Sequence, residues 1–318
     1  MKKILVLGLA AGLLAGCAPG ETPTTVYLAT HDSFVMSDEL ISQFESESGF
    51  ELEIVKLGDT GTLTSKLVVT KQAPIADAVY GIDNTFRSVA DSEALVDGEF
   101  VEIDYSDVCF NFDVAWFDKN NLVPPKNWRE LIRPEYKGLT VVTNPVYSSP
   151  GLAFLATTHA GFATSADVFE YWRNLRDNGV KVAGSWEDAY FVDFTRYGGS
   201  YPIVLSYASS PAAEVGEDGN SGTKALLDEC FRQIEYAGVL KNAKNKVGAQ
   251  AIVEFLQQQP FQESLPESMY VYPVNEKAQL PGAWAKFALP ANSTLGADLD
   301  FAANREQWLT DWQDVFDN

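Results

Sequence analysis

Strand-like runs alternate with helix-like runs along most of this chain, which restricts it to an α/β architecture with a mostly parallel sheet. Residues 25–29 read as a strand, and Ser37-Asp38-Glu39 then caps an amphipathic helix through Phe44 that stops at Gly49. Residues 50–57 alternate Leu52, Ile54 and Leu57 with charge, as a second strand does. The turn Gly58-Asp59-Thr60-Gly61-Thr62 leads into a helix at 63–70, and 76–81 form a short buried strand. Composition shifts after that. Residues 100–117 carry β-formers in succession, and Leu122-Val123-Pro124-Pro125 with Trp128 starts a new unit.

The second unit repeats the alternation. Strands are expected at 139–143, 180–183 and 203–207, with helices at 150–160 and 166–178 and a further helix opened by Pro211. Near Cys230 the chain returns to strand-like residues 231–236 and ends in helices at 249–258 and 304–316. A chain of 318 residues exceeds what one core usually organises. The expectation is therefore two α/β lobes, with the last third returning to the first: residues 26–108 plus 231–318 in lobe 1, and 109–230 in lobe 2. The chain then crosses between lobes twice.

The N-terminus points out of the cytoplasm. Lys2 and Lys3 precede an apolar stretch over 4–16, then Leu14-Ala15-Gly16-Cys17. That stretch is too short for the roughly 20 residues of a spanning helix. It reads as a secretion signal over 1–16 whose ending resembles a lipobox, implying cleavage before Cys17, lipidation of its sulfur and tethering to the membrane. Residues 17–25, rich in Pro and Thr, suit a flexible linker.

Charge and cysteine use fit that compartment. The formal charge of -21 becomes -23 once Lys2 and Lys3 are removed, with 44 acids against 21 bases. Such an excess opposes nucleic-acid binding, which rests on phosphate neutralisation. It favours encounter with small cations, and also keeps an exported protein soluble. With Cys17 assigned to lipid, Cys109 and Cys230 remain, both near the expected crossings. An even number in an oxidising compartment favours a disulfide over two buried thiols. If the crossing strands are neighbours, that bond staples the hinge.

Candidate binding elements lie at strand ends. Ser148-Ser149-Pro150 and Ser209-Ser210-Pro211 each follow a strand with serine before proline, a strong helix start. Such ends present free N–H groups to phosphate or hydroxyl oxygen, and the turn at Asp59 and Thr60 does the same. Each is also explained by simple capping. Trp186, Tyr207, Tyr270 and Tyr272 fall near comparable loops, where a ring stacks on a flat heterocycle or holds a cation, unless it belongs to the core. Together these features suit a ligand with a cationic aromatic part and an oxygen-rich tail. Catalytic signals are poor: two histidines, His31 and His159, and no P-loop, nucleophile elbow or zinc spacing. The chain is not expected to be an enzyme or to carry a cofactor or resident metal.

At these residues the chain resembles the thiamine-binding solute-receptor family of ABC transporters. The resemblance rests on Thr30-His31-Asp32-Ser33-Phe34, Asp59 with its turn, Gly81-Ile82-Asp83-Asn84 and Ser148-Ser149-Pro150-Gly151-Leu152. It continues through Trp186-Glu187-Asp188-Ala189-Tyr190, Ser206-Tyr207-Ala208-Ser209-Ser210-Pro211 and Tyr272-Pro273-Val274. It implies a type II periplasmic-binding-protein-like fold: two sheets flanked by helices, a two-strand hinge and the ligand in the cleft. The ligand is thiamine or a thiamine phosphate, passed to a permease with its cytoplasmic ATPase. Ligand contacts carry over to Asp59, Thr60, Ser148, Ser149, Trp186, Tyr207, Ala208, Ser209, Ser210 and Tyr270, with His31 where the family often has tyrosine. A ferric-ion receptor of the same superfamily is the alternative, although Ala208 follows Tyr207 where iron sites usually pair tyrosines. A secreted hydrolase is a third class, lacking a nucleophile–base set.

Overall fold

The computed structural model describes residues 24–317. The expected signal at 1–16 and the lipidated Cys17 lie outside the described residues. Three strands open the chain, β1 (Thr25–Thr30), β2 (Glu51–Lys56) and β3 (Ala78–Asp83), and the long β4 (Val101–Asp113) follows. Next come β5 (Thr140–Thr143), β6 (Lys181–Ala183), β7 (Ile203–Tyr207), the 17-residue β8 (Thr223–Val239) and the short β9 (Tyr272–Pro273). The order across the sheet is β2-β1-β3-β8-β4-β7-β5-β6, with β9 paired to β4.

Local chemistry explains the elements. Ser37 accepts the Leu40 N–H at the start of helix Asp38–Ser48, and Gly49 ends it at φ 76°, a left-handed conformation glycine adopts without a Cβ penalty. In β1, Val26 and Leu28 join one core while Ala29 joins the core on the other face, the period-two pattern of a strand buried on both sides. One core holds Phe34, Phe44, Phe255 and Phe261; the other runs from Val79 and Phe86 to Trp172 and Trp312.

The type II architecture is as expected, but the two sheets are joined into one. β4 spans 13 residues, about 43 Å at 3.3 Å per residue, and pairs with β8 along both halves. Between the halves the ladder breaks. Val108 pairs with Phe231 and Phe110 with Leu226, so 227–230 bulge out, with Glu229 at φ 57°. Cys109 sits opposite that bulge and is disulfide-bonded to Cys230, with Cα atoms 4.9 Å apart. The staple thus crosses the hinge where backbone pairing is missing.

Three local expectations change. Pro211 opens only a three-residue turn, Ser210–Ala212. The strand expected at 231–236 extends through the whole of β8. A helix not read from sequence, Gln259–Met269, contains Pro266 and ends at Tyr270 with φ 62°. The terminal helix Phe301–Asp317, expected in lobe 1, packs Trp312 against Trp172 of helix Ser165–Asp177, which lies among the residues expected in lobe 2. Its Arg305 also lies over the Phe86 ring in the first half.

Candidate functional site

The turn after β2 makes the first wall. Asp59 is the N-cap of helix Thr60–Thr70, and its Oδ1 accepts the Thr60 N–H at 2.8 Å. Its Oδ2 accepts the Trp186 N–H at 3.1 Å from the other half of the molecule. The Gly61 N–H donates to the Tyr147 carbonyl at 2.8 Å, a second link between the halves. Asp59 is 9% exposed, and burial raises its carboxyl above the usual value against the pull of the Thr60 N–H and Ser148.

The second half supplies serines and rings. Ser148 precedes helix Ser149–Gly161 but does not cap it with its side chain; its hydroxyl donates to Thr143 Oγ1 at 2.9 Å. The Ser149 hydroxyl is buried and reaches toward the Asp83 carboxyl. Trp186 stacks on Tyr190 at 5.1 Å and donates its Nε1–H to Ser206 Oγ at 3.0 Å. Tyr207 and Tyr270 stand 5.8 and 6.0 Å from the Trp186 ring. Ser210 Oγ accepts the Tyr207 N–H at 3.2 Å and pairs with Ser206. Ser209 pairs with Ser106 of β4 at 3.2 Å and donates to the Tyr270 carbonyl. The Ala208 N–H is used by Asp107 O, so Ala208 offers no free backbone donor.

The sequence-derived set is therefore brought together, at the ends of β6 and β7 against the Asp59 turn. Trp186 is 6% exposed and has a packing role beside any binding one. The Ser209-Ser210-Pro211 turn is too short to act as a helix end toward an anion. Cavities of about 470 and 480 Å³ lie beside Tyr105, Arg232 and Tyr272, on the opposite face of β4 and β8; of the candidate rings Tyr272 lines them, stacked on Tyr105 and apart from the set.

Under the set lies a polar floor in which the expected His31 meets acids of β4 and β8 that sequence reasoning missed. His31, 6% exposed, places Nε2 3.5 Å from Glu235 Oε1 of β8. Gly81 makes room for that ring: a Cβ there would lie 2.2 Å from His31 Cδ2. The Tyr80 hydroxyl bonds to Asp104 and lies 3.0 Å from Glu235 Oε2. Burial alone would raise Glu235 and lower His31; each holds the other charged, leaving Glu235 below and His31 above its ordinary value. Burial and the Glu235 charge push Asp104 well above the carboxylate range, and burial pushes Asp83 up to about 7. Burial also raises the Tyr207 hydroxyl, helped by Glu235, Asp59, Asp83 and Asp104. Asp83, closing the otherwise apolar strand β3, is a local sign of such a floor.

Residues 70–291, more than half of the chain, match the profile of the bacterial extracellular solute-binding proteins. The chain belongs to that family. This solute-binding protein is 28% identical to the thiamine-binding periplasmic protein of Salmonella typhimurium (strain LT2) over 98% of each chain. Its structure is similar to that of a periplasmic thiamin binding protein, with a TM-score of 0.78, 24% identity and coverage of 94% of this chain and 99% of that one. Iron-bound HitA from Pseudomonas aeruginosa superposes with a TM-score of 0.71, at 18% identity over 92% and 99%. At those identities the structural likeness speaks for the fold alone. The family places the protein outside the cytoplasm and among binders of solutes.

Proposed function

We propose that this solute-binding protein takes up thiamine or a thiamine phosphate where the Asp59 turn meets Trp186, and delivers it to an ABC importer. The observation that carries the reading is the convergence of Asp59, Thr60, Ser148, Ser149, Trp186, Tyr207, Ser209, Ser210 and Tyr270 from both halves onto one buried locus. Stacked rings suit a flat pyrimidine and a thiazolium, buried carboxylates suit positive charge, and the serines suit the hydroxyl or phosphate tail. The full-length likeness to a thiamine-binding periplasmic protein supports the same ligand.

The proposal includes a membrane tether through lipid on Cys17 after removal of 1–16. It also includes two lobes, 26–108 plus 231–318 and 109–230, that part about the stapled β4–β8 hinge to admit ligand. The partner is a permease with its cytoplasmic ATPase. Against a ferric reading, Ala208 and not a second tyrosine follows Tyr207.

Isothermal titration with thiamine, its mono- and diphosphate and Fe(III) tests the proposal. One thiamine compound bound per chain supports it. Tight Fe(III) binding with no response to any thiamine compound refutes it.

A further inference from the structure

The register of the central strands sets three acids side by side. Asp83 of β3 pairs with Glu235 of β8, and Glu235 pairs with Asp104 of β4, so three neighbouring strands each contribute a carboxyl to one row. Ser106 and Gln233 form the next pair on the same face of β4 and β8. All five are buried, Asp83 and Asp104 completely. Adjacent strands stand about 4.8 Å apart, and like charges directly opposite one another destabilise a sheet. A row of this kind weakens the fold unless it does something else.

The row is also under-satisfied. Gln233 Oε1 and His31 Nδ1 have no hydrogen-bond partner, and Asp83 Oδ2 and Asp104 Oδ1 have none beyond long contacts with Ser149 and Glu235. His31 faces the row through Nε2, at 3.5 Å from Glu235. Buried polar atoms are usually paired, because an unmade hydrogen bond costs the full desolvation of the group. Here orphaned atoms gather beneath Tyr207, whose hydroxyl feels the charges of Asp83, Asp104 and Glu235. Three of these four are carbonyl-type or carboxyl oxygens, which ask for N–H donors.

We infer that the row Asp83–Glu235–Asp104, with His31 and Gln233, selects the heterocycle of the ligand by reading an exocyclic amine beside a ring nitrogen. The amine donates to the Glu235 carboxylate and to the orphaned oxygens. A neighbouring carboxyl that keeps its proton donates to the ring nitrogen. One ionised and one protonated acid on adjacent strands thus match the donor–acceptor edge of an aminopyrimidine, and neither an all-apolar floor nor a fully ionised one does. This deepens the reading under Proposed function and rests on it.

The test compares thiamine with oxythiamine, in which a 4-oxo group replaces the pyrimidine amine, by titration calorimetry on the full-length protein. A site built to accept that amine rejects the oxo analogue by roughly 100-fold or more. Glu235→Gln and Asp83→Asn, each checked for an intact fold by circular dichroism, shrink the ratio to under about tenfold, whatever happens to thiamine affinity itself. Wild-type protein that binds both compounds equally overturns the inference and leaves the thiamine reading standing. An unchanged ratio in folded Glu235→Gln also overturns it. Wild-type protein that binds neither compound overturns the thiamine reading and this inference with it. The wild-type ratio needs no variant, so failure of a mutant to fold does not shield the claim.

Discussion

The Asp59 carboxylate joins the two halves of the molecule: one oxygen caps the Thr60 N–H and the other accepts the Trp186 N–H at 3.1 Å. Capping and cross-cleft contact therefore coexist in one side chain. Asp59→Asn keeps one carbonyl oxygen but turns an amide NH₂ toward one of the two N–H donors. It also removes the charge that attracts a cationic ligand. A charge-assisted contact in a water-excluding site is worth about 1.5–3 kcal/mol, so thiamine affinity falls by roughly tenfold or more and its salt dependence lessens. Titration calorimetry at two salt concentrations checks both. Unchanged affinity would leave Asp59 with capping alone, since asparagine caps as well as aspartate does.

Gly61 lies close against the second half. A Cβ there would lie 2.6 Å from Val146 O and 2.8 Å from Tyr147 O, both backbone atoms of the second half. Gly61→Ala leaves helix Thr60–Thr70 intact, because alanine is the better helix former. It props the halves apart. The expected result is weaker ligand binding and a larger radius of gyration by small-angle scattering in the presence of ligand, with little change in melting temperature. Ligand-induced compaction equal to that of the wild type would contradict this.

The Cys109–Cys230 bond spans a sequence separation of 121 residues. For a loop of that size the chain-entropy model gives an upper figure of roughly 4–5 kcal/mol. In a protein of this length that corresponds to a fall in melting temperature on the order of 10 °C for the Cys109→Ala, Cys230→Ala double variant. Ligand affinity should change little, because the staple fixes the hinge and, of the candidate ligand residues, packs against Ala208, whose N–H is already used by Asp107 O. Calorimetric melting with and without reductant measures the first effect, and titration of the double variant the second.

Asp83 gives the protein a pH dependence. Burial moves its carboxyl from 3.8 to about 7, against the pull of Thr85, the Phe86 N–H and Ser149 and with the push of Glu235. Between those values the folded protein holds a proton that the unfolded chain has lost. The contribution to stability is therefore full below 3.8 and is lost as pH rises through about 7. Asp83→Asn cannot ionise. Urea unfolding across pH 5–8 should show wild-type stability declining relative to the variant as pH rises. A constant gap between the two would contradict the assignment.

Much of the fold was legible because its signals are local. Ser37 and Gly49 bracket their helix as their chemistry dictates, and the Thr25–Thr30 and Ile203–Tyr207 strands stand where apolar β-formers do. The paired cysteines were legible from their number and position. The joining of the sheets was not. It depends on pairing β4 with β8 across more than a hundred residues, and local pattern holds no information about that. Helix Gln259–Met269 was hidden by its internal Pro266, which normally ends a helix.

The site was legible in part. Motif order pointed to the Asp59 turn, Trp186 and the Tyr207–Ser210 run, and these do converge. The short turn at Pro211 and the engaged Ala208 N–H depend on sheet pairing that sequence does not display. Apart from Asp83 in apolar β3, the acid row is hidden for the same reason. Asp83, Asp104 and Glu235 are far apart in sequence and become neighbours only through register.

The central claim is that the ligand is thiamine or a phosphate ester of it. Protein purified without added ligand from its native compartment, then denatured and analysed by mass spectrometry, tests it most directly. The account predicts release of thiamine, its monophosphate or its diphosphate at up to one molecule per chain. Release of a different small molecule at that stoichiometry, with thiamine failing to displace it from the folded protein, would contradict the account.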